Sequence, residues 1–320
     1  MARTAIALIW SLLLLAPVVS AAQPAAVAPP AFKASVELVT VDAVVRDRQG
    51  HLVSGLRKSD FEVLDDGWPR TIEAFHADDA PASVAVVVDT SGSMEVADKI
   101  ALARRAATDL LGDLDPATDQ AAVYTFDTAL REIRPFAAPG SLKAAFSTLK
   151  PYGATSVYDA IAEAARQVAR QPRPHRAVVI FTDGLDNASR LTPQAVSGLA
   201  SSIDVPVYVV AVVSPLDRAA VVQAANSTAS AASTGVYGKA AGALEDLARW
   251  TGGELFVASG PDEARAAMRQ VAEELHHQYL LAFEPGLRPG WHPLVIRTRN
   301  SRLTVRARGG YVVGTSRPTG

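Results

Sequence analysis

The hydrophobic pattern of this chain changes period twice. Near the N-terminus the period is two. Val36, Leu38 and Thr40 alternate with Glu37 and Val39, and Ala43-Val44-Val45 continues the run, as in a strand with one covered face. Residues 61–64 lead into Asp65-Asp66-Gly67, with a return strand over 70–75. Asp-Gly is a hairpin signal because both positions accept positive φ. From Pro81 the alternation gives way to continuous apolar runs: Val84-Ala85-Val86-Val87-Val88, 177–181 and 205–213. Such runs mark strands covered on both faces of a parallel sheet. Helical periods lie between them. Ile100, Ala103, Ala107, Leu110 and Leu111 share one face, as do Val157, Ile161, Ala164, Ala165 and Val168.

The stretch 214–243 is poor in large apolar side chains and reads as a surface insertion, helical near 217–225. Thr251-Gly252-Gly253 stops a helix, 254–257 is a short strand, and Pro261-Asp262-Glu263 opens the last helix. Its buried face is Ala264, Met268, Val271 and Leu275. After Gln278 the period returns to two. Tyr279, Leu281 and Phe283 share a face, Leu294 and Ile296 alternate with Val295 and Arg297, and Leu303, Val305 and Ala307 alternate with Thr304, Arg306 and Arg308.

Strand–helix alternation between β-rich flanks predicts an α/β fold, a doubly wound, mostly parallel sheet over 81–278. An N-terminal β unit (33–80) and C-terminal β strands (279–320) flank it. The N-terminal flank alone offers a small core. Pairing of both flanks into one β-sandwich, with the α/β domain inserted between them, is therefore the economical arrangement; independent flanks are the alternative.

Composition narrows the setting. The 320 residues are 49% hydrophobic, enough for about two domains. Net charge is -2, so nothing global points to nucleic acid. Residues 1–22 read as a signal peptide: Arg3, an apolar segment from Ala5 to Leu15, Pro17, then Ser20-Ala21-Ala22 for cleavage. An uncleaved anchor helix would need about 20 apolar residues. Residues 23–32, rich in Ala and Pro, read as a flexible leader. No later segment is apolar enough for a membrane span. The expected location is exported, either periplasmic or extracellular. The chain has no cysteine, which excludes disulfides, thiol chemistry, Cys-ligated zinc and iron–sulfur clusters.

The candidate chemistry sits where apolar strands end. Asp89-Thr90-Ser91-Gly92-Ser93 leaves the first buried run. A carboxylate and two hydroxyls at alternate positions are hard oxygen ligands, suited to Mg2+, Mn2+ or Ca2+. Asp183, in Phe181-Thr182-Asp183-Gly184, ends another run, and Gly153-Ala154-Thr155-Ser156 precedes a helix. In doubly wound folds ligands bind beyond the carboxyl ends of the strands, so these three loops are expected to meet. Taken alone, Asp89 to Ser93 would equally serve as a turn or helix cap.

Asp89, Ser91, Ser93, Thr155 and Asp183, with the surrounding DTSGSM, GATSVYDAI and FTDG segments, resemble the von Willebrand factor type A (VWA) domain over roughly Ala82 to Gln278. That family carries a metal-ion-dependent adhesion site with the pattern Asp-x-Ser-x-Ser, a later Thr and a later Asp. DFEVLDDG before the domain, and YLLAF and VRARGGY after it, resemble a bacterial group of exported VWA-related proteins. The resemblance implies Ser91, Ser93 and Thr155 as inner metal ligands, with Asp89 and Asp183 acting through water. Neutral hydroxyls leave the ion electrophilic, with a position for an acidic residue of a protein partner. The expected function is an exported, metal-dependent protein-binding module. The alternative is a metal-independent scaffold in an envelope or secretion assembly.

Other features are assigned blander roles. Phosphoryl-transfer hydrolases with an Asp at a strand end typically need a second aspartate two positions on. Position 91 is Ser, and no glycine-rich phosphate loop, nucleophile elbow or paired His–Glu motif occurs, so no enzymatic activity is expected. Asp127, Asp186 and Asn187 read as turn residues, the alternatives being a place on the same rim for Asp127 and tuning of the site for Asp186 and Asn187. His276-His277 match no zinc spacing and read as surface residues. Arg297, Arg299, Arg302, Arg306 and Arg308 read as a solvated strand face. Tyr152 and Tyr158 flank the Thr155 loop as candidate anchors or core residues.

Overall fold

The computed structural model describes residues 38–77, 80–147, 149–202, 204–225 and 236–314. The expected signal peptide and leader lie outside the described residues. In chain order the elements are β1 (Val39–Arg46), β2 (Phe61–Asp65), β3 (Trp68–Arg70), β4 (Ile72–His76), β5 (Ala82–Asp89), α1 (Lys99–Asp113), β6 (Gln120–Phe126), β7 (Leu130–Ala137), α2 (Val157–Ala169), β8 (His175–Thr182), α3 (Pro193–Ser202), β9 (Val207–Val212), α4 (Arg218–Ala225), α5 (Val236–Thr251), β10 (Leu255–Ala258), α6 (Pro261–His276), β11 (Tyr279–Phe283), β12 (Gly290–Thr298), β13 (Thr304–Ala307) and β14 (Gly310–Val313).

The continuous apolar runs form the centre of a six-stranded sheet ordered β10-β9-β8-β5-β6-β7. All neighbours are parallel except β7, which runs antiparallel to β6. Every residue of β5 is buried, because helices cover both faces. Val84, Val86 and Val88 pack with Ala103 and Leu110 of α1 and with Met268 and Val271 of α6. Ala85 and Val87 pack with Ile161 and Ala165 of α2 and Leu247 of α5. Successive strands leave β5 toward β6 on one side and toward β8 on the other. The carboxyl end of β5 is thus a topological switch point, where loops diverge and leave a crevice.

The flanks interleave. One sheet is ordered β13-β1-β11-β4 and the other β14-β12-β2-β3. N-terminal β1 therefore lies between C-terminal β13 and β11, and N-terminal β2 pairs with C-terminal β12. Val41, Ala43 and Val45 of the first sheet share one core with Phe61, Val63, Leu294, Ile296 and Tyr311 of the second. The stripe of β1 that faces this core is thus the odd-numbered one; on the other stripe Val44 is buried and Leu38 exposed.

Three sequence expectations need correction. The return strand after Asp66-Gly67 is split: β3 closes the hairpin with β2, while β4 crosses to the other sheet and pairs with β11. The stretch 214–243 is more than a surface insertion, because Val221 of α4 and Ala241 of α5 are buried against Ala211 and Val213. The arginine stripe is divided. Arg297 lies out on Glu62, as a solvated face requires, but Arg306 and Arg308 turn inward. Arg306 joins Arg46 on the fully buried Glu274 of α6. Arg308 Nε lies 3.4 Å from Asp204 Oδ1, and Thr40 donates to Asp204 Oδ2 at 3.0 Å. These buried pairs join the flanking sheets to the α/β domain.

Candidate functional site

The loop after β5 turns sharply because its first carboxylate folds back on it. Asp89 Oδ1 accepts the Ser91 N–H at 2.8 Å, and Asp89 Oδ2 accepts the Thr182 hydroxyl at 2.6 Å. The Ser91 and Ser93 hydroxyls stand 3.2 Å apart, so alternate positions do present their oxygens together. Asp89, Ser91, Thr155 and Asp183 are buried, and Ser93 is half-buried on the open side.

The three loops are tied pairwise by hydrogen bonds. The first loop meets the second where Tyr152 N–H donates to Thr90 O (2.7 Å) and Gly92 N–H to Gly153 O (3.1 Å). Gly153 has φ +91, a conformation open to glycine and costly for other residues. The second loop meets the third through Thr155. Its N–H donates to Asn187 Oδ1 at 2.9 Å, and its carbonyl accepts the N–H groups of Asn187 and Ala188 at 3.0 Å each. Asp186 Oδ1 accepts the Val157 N–H at 2.8 Å and so caps α2. The third loop closes on the first through Thr182 and Asp89. The five sequence candidates thus stand on three loops at one end of the sheet.

Burial pushes the Asp89 carboxyl up to about 6; hydrogen bonds from Ser91 and Thr182 pull it down, and the neighbouring Asp183 charge pushes it further up. The hydrogen bonds that reach Asp89 come from the Ser91 N–H and the Thr182 hydroxyl. Asp183 differs. Its Oδ2 lies 2.5 Å from the ammonium of Lys99, which is itself buried. A buried carboxylate whose value is raised by burial, beside the hydroxyls of Ser91 and Ser93, fits a hard divalent cation. A cluster of three or more His, Cys, Asp or Glu side chains able to hold a metal does not occur among the described residues; a hydroxyl-rich donor set does not require one.

Thr182 and Lys99 are not legible as supports of the site from sequence, whereas Asp186 and Asn187, read there as turn residues, also brace the Thr155 loop. Lys99 carried a signal, because it falls on the buried stripe of α1 with Ala103, Ala106 and Leu110. Asp127 is a turn acceptor, as expected, taking the N–H of Ala129 and pairing with Arg131. Tyr158 is buried, whereas Tyr152 is 83% exposed at the rim. His276 is no plain surface residue, since its Nε2 lies 2.8 Å from Asp119.

Residues 84–185 match the family of the von Willebrand factor type A domain. The loops that carry Asp89, Ser91, Ser93, Thr155 and Asp183 fall inside the matched segment. Among solved structures it is similar to an aerotolerance-related membrane protein from Bacteroides fragilis, with 19% identity and a TM-score of 0.47 over 60% of this chain and 99% of that one. It is also similar to a von Willebrand factor type A protein from Catenulispora acidiphila, with 13% identity and a TM-score of 0.46 over 89% and 76%. A third is proximal thread matrix protein 1 of the mussel byssus, described with a zinc-occupied MIDAS motif. It shows 18% identity and a TM-score of 0.46 over 66% of this chain and 49% of that one. A comparison with curated proteins gives no match.

Proposed function

We propose that this chain is an exported protein-binding module that engages an acidic side chain of its partner through a divalent cation held by Asp89, Ser91, Ser93, Thr155 and Asp183. The observation that carries the reading is Asp89: a buried carboxylate held by Ser91 and Thr182 beside the paired Ser91 and Ser93 hydroxyls, at the switch point of the six-stranded sheet. Ser91, Ser93 and Thr155 would hold the ion, and Asp89 and Asp183 would brace its waters. Such an ion supplies electrophilicity toward a carboxylate. Mg2+ fits best by size and retained water, with Mn2+ and Ca2+ as alternatives. Export is supported by the signal-like residues 1–22, and no helix among the described residues is long and apolar enough to cross a membrane.

Calorimetric titration with Mg2+ or Mn2+, and partner capture in Mg2+ against EDTA, test the reading. Uptake of one ion, with capture lost in EDTA and in the Ser91→Ala, Ser93→Ala double variant, is expected. Capture indifferent to both changes would assign the module to a metal-independent scaffold instead.

A further inference from the structure

Lys99 is an unusual residue for its position. It is the first residue of α1, where the exposed N–H groups make a positive charge unfavourable. It is also almost fully buried, which a lysine tolerates only when paired. Its approach is built from backbone of high energy. Ala97 and Asp98, immediately before it, have φ +54 and +56, two consecutive left-handed residues without a glycine. Such conformations persist only where surrounding contacts fix them, and they concentrate at functional sites. Helix dipole, burial and backbone thus all oppose this placement, and the contact that answers them is the 2.5 Å pair with Asp183 Oδ2.

The charge balance follows. Asp89 and Asp183 bring two negative charges and Lys99 one positive charge, so the cluster is left with a single negative charge. A dication added to the cluster gives a net charge of plus one, whereas without the ammonium the same site would be neutral. We infer that Lys99 is a tethered counter-cation that weakens divalent-metal binding by occupying Asp183, leaving the loaded site net positive and dependent on an acidic partner for completion. Lys99 is here a positioning and charge-setting residue, not a ligand. The inference rests on the metal-dependent reading above and assigns its regulation: metal and acidic partner favour one another's binding, because each relieves the charge the other leaves.

The test is calorimetric titration of Mn2+ alone into the full chain and into Lys99→Met, Lys99→Gln and Lys99→Arg, each checked for folding by circular dichroism. Met and Gln keep all but one atom of the side chain's length without its charge, so loss of one to misfolding leaves the other. The expected result is Mn2+ affinity higher by about tenfold in the uncharged variants, near the parent value in Lys99→Arg, and a larger Mn2+-induced rise in melting temperature for the uncharged variants. Equal affinity in parent and uncharged variants, even with lowered stability, would reduce Lys99 to a structural ion pair and overturn the inference. No Mn2+ uptake by any of the four proteins would instead overturn the metal-dependent reading itself.

Discussion

Thr182 Oγ1 donates to Asp89 Oδ2 at 2.6 Å, joining the ends of two neighbouring parallel strands beneath the candidate site. Both residues are fully buried. Thr182→Val keeps the shape and removes the donor, leaving a buried carboxylate with one partner fewer. A loss of about 1–3 kcal/mol in unfolding free energy is expected by urea titration, with most of it recovered in Thr182→Ser. A neutral Thr182→Val would mean that Asp89 is solvated in another way.

Acid sensitivity should come from two paired carboxylates, Asp65 in the flanking sheets and Asp119 before β6 in the α/β domain. Burial pushes the Asp65 carboxyl up, but hydrogen bonds with His292 and from the Gly286 N–H outweigh it and hold the group below its ordinary value. Asp119 is lowered in the same way, burial being offset chiefly by His276. A lowered native pKa means that the unfolded chain binds more protons. This contribution is therefore complete above about pH 4 and is lost as pH falls through the native value. Thermal melts between pH 4.5 and pH 3 should show a falling midpoint, with a shallower slope in Asp65→Asn, itself less stable by about 3–5 kcal/mol because Arg70 and His292 lose their partner. An unchanged slope would exclude Asp65 as a source.

Two glycines should respond oppositely to alanine. A Cβ at Gly253 would lie 2.0 Å from the Val207 carbonyl oxygen, where α5 turns into β10 against β9. Backbone cannot yield there cheaply, and Gly253→Ala is expected to cost several kcal/mol, about 2–4 on the scale of overpacked cores. Gly198, inside α3, meets nothing within 4 Å, so Gly198→Ala should stabilise by about 0.5–1 kcal/mol. Chemical denaturation of both variants checks the contrast.

The interleaved flanks should fold only together. β1 takes hydrogen bonds from β11 and β13 on its two edges, and β2 from β12. Expression of 33–78 alone is expected to give an unfolded peptide by circular dichroism. Truncation after 278 should leave 38–77 open to rapid proteolysis. A well-dispersed NMR spectrum for the isolated fragment would disprove this.

The central sheet and its helices were legible because their apolar runs and helical stripes are local. The candidate oxygens were legible because a strand end is visible as the point where an apolar run stops at Asp89 or Asp183. What stayed hidden depends on partners distant in sequence. Arg306 and Arg308 look like a solvated stripe until Glu274 and Asp204 arrive from the α/β domain. The split of β3 and β4 follows from a crossover between sheets that no local period records. β7 and β14 escaped for other reasons: β7 is an edge strand with no fully buried residue, and β14 is only four residues long.

The insertion of the α/β domain between β4 and β11 has a mechanical consequence. Residues 38 and 314 both belong to the flanking double layer, where β1 is bonded directly to β13. Tension between them would load the interstrand bonds of that layer in shear and bypass the six-stranded sheet. The loops bearing Asp89, Thr155 and Asp183 would keep their arrangement under a pull that would distort a module strung end to end.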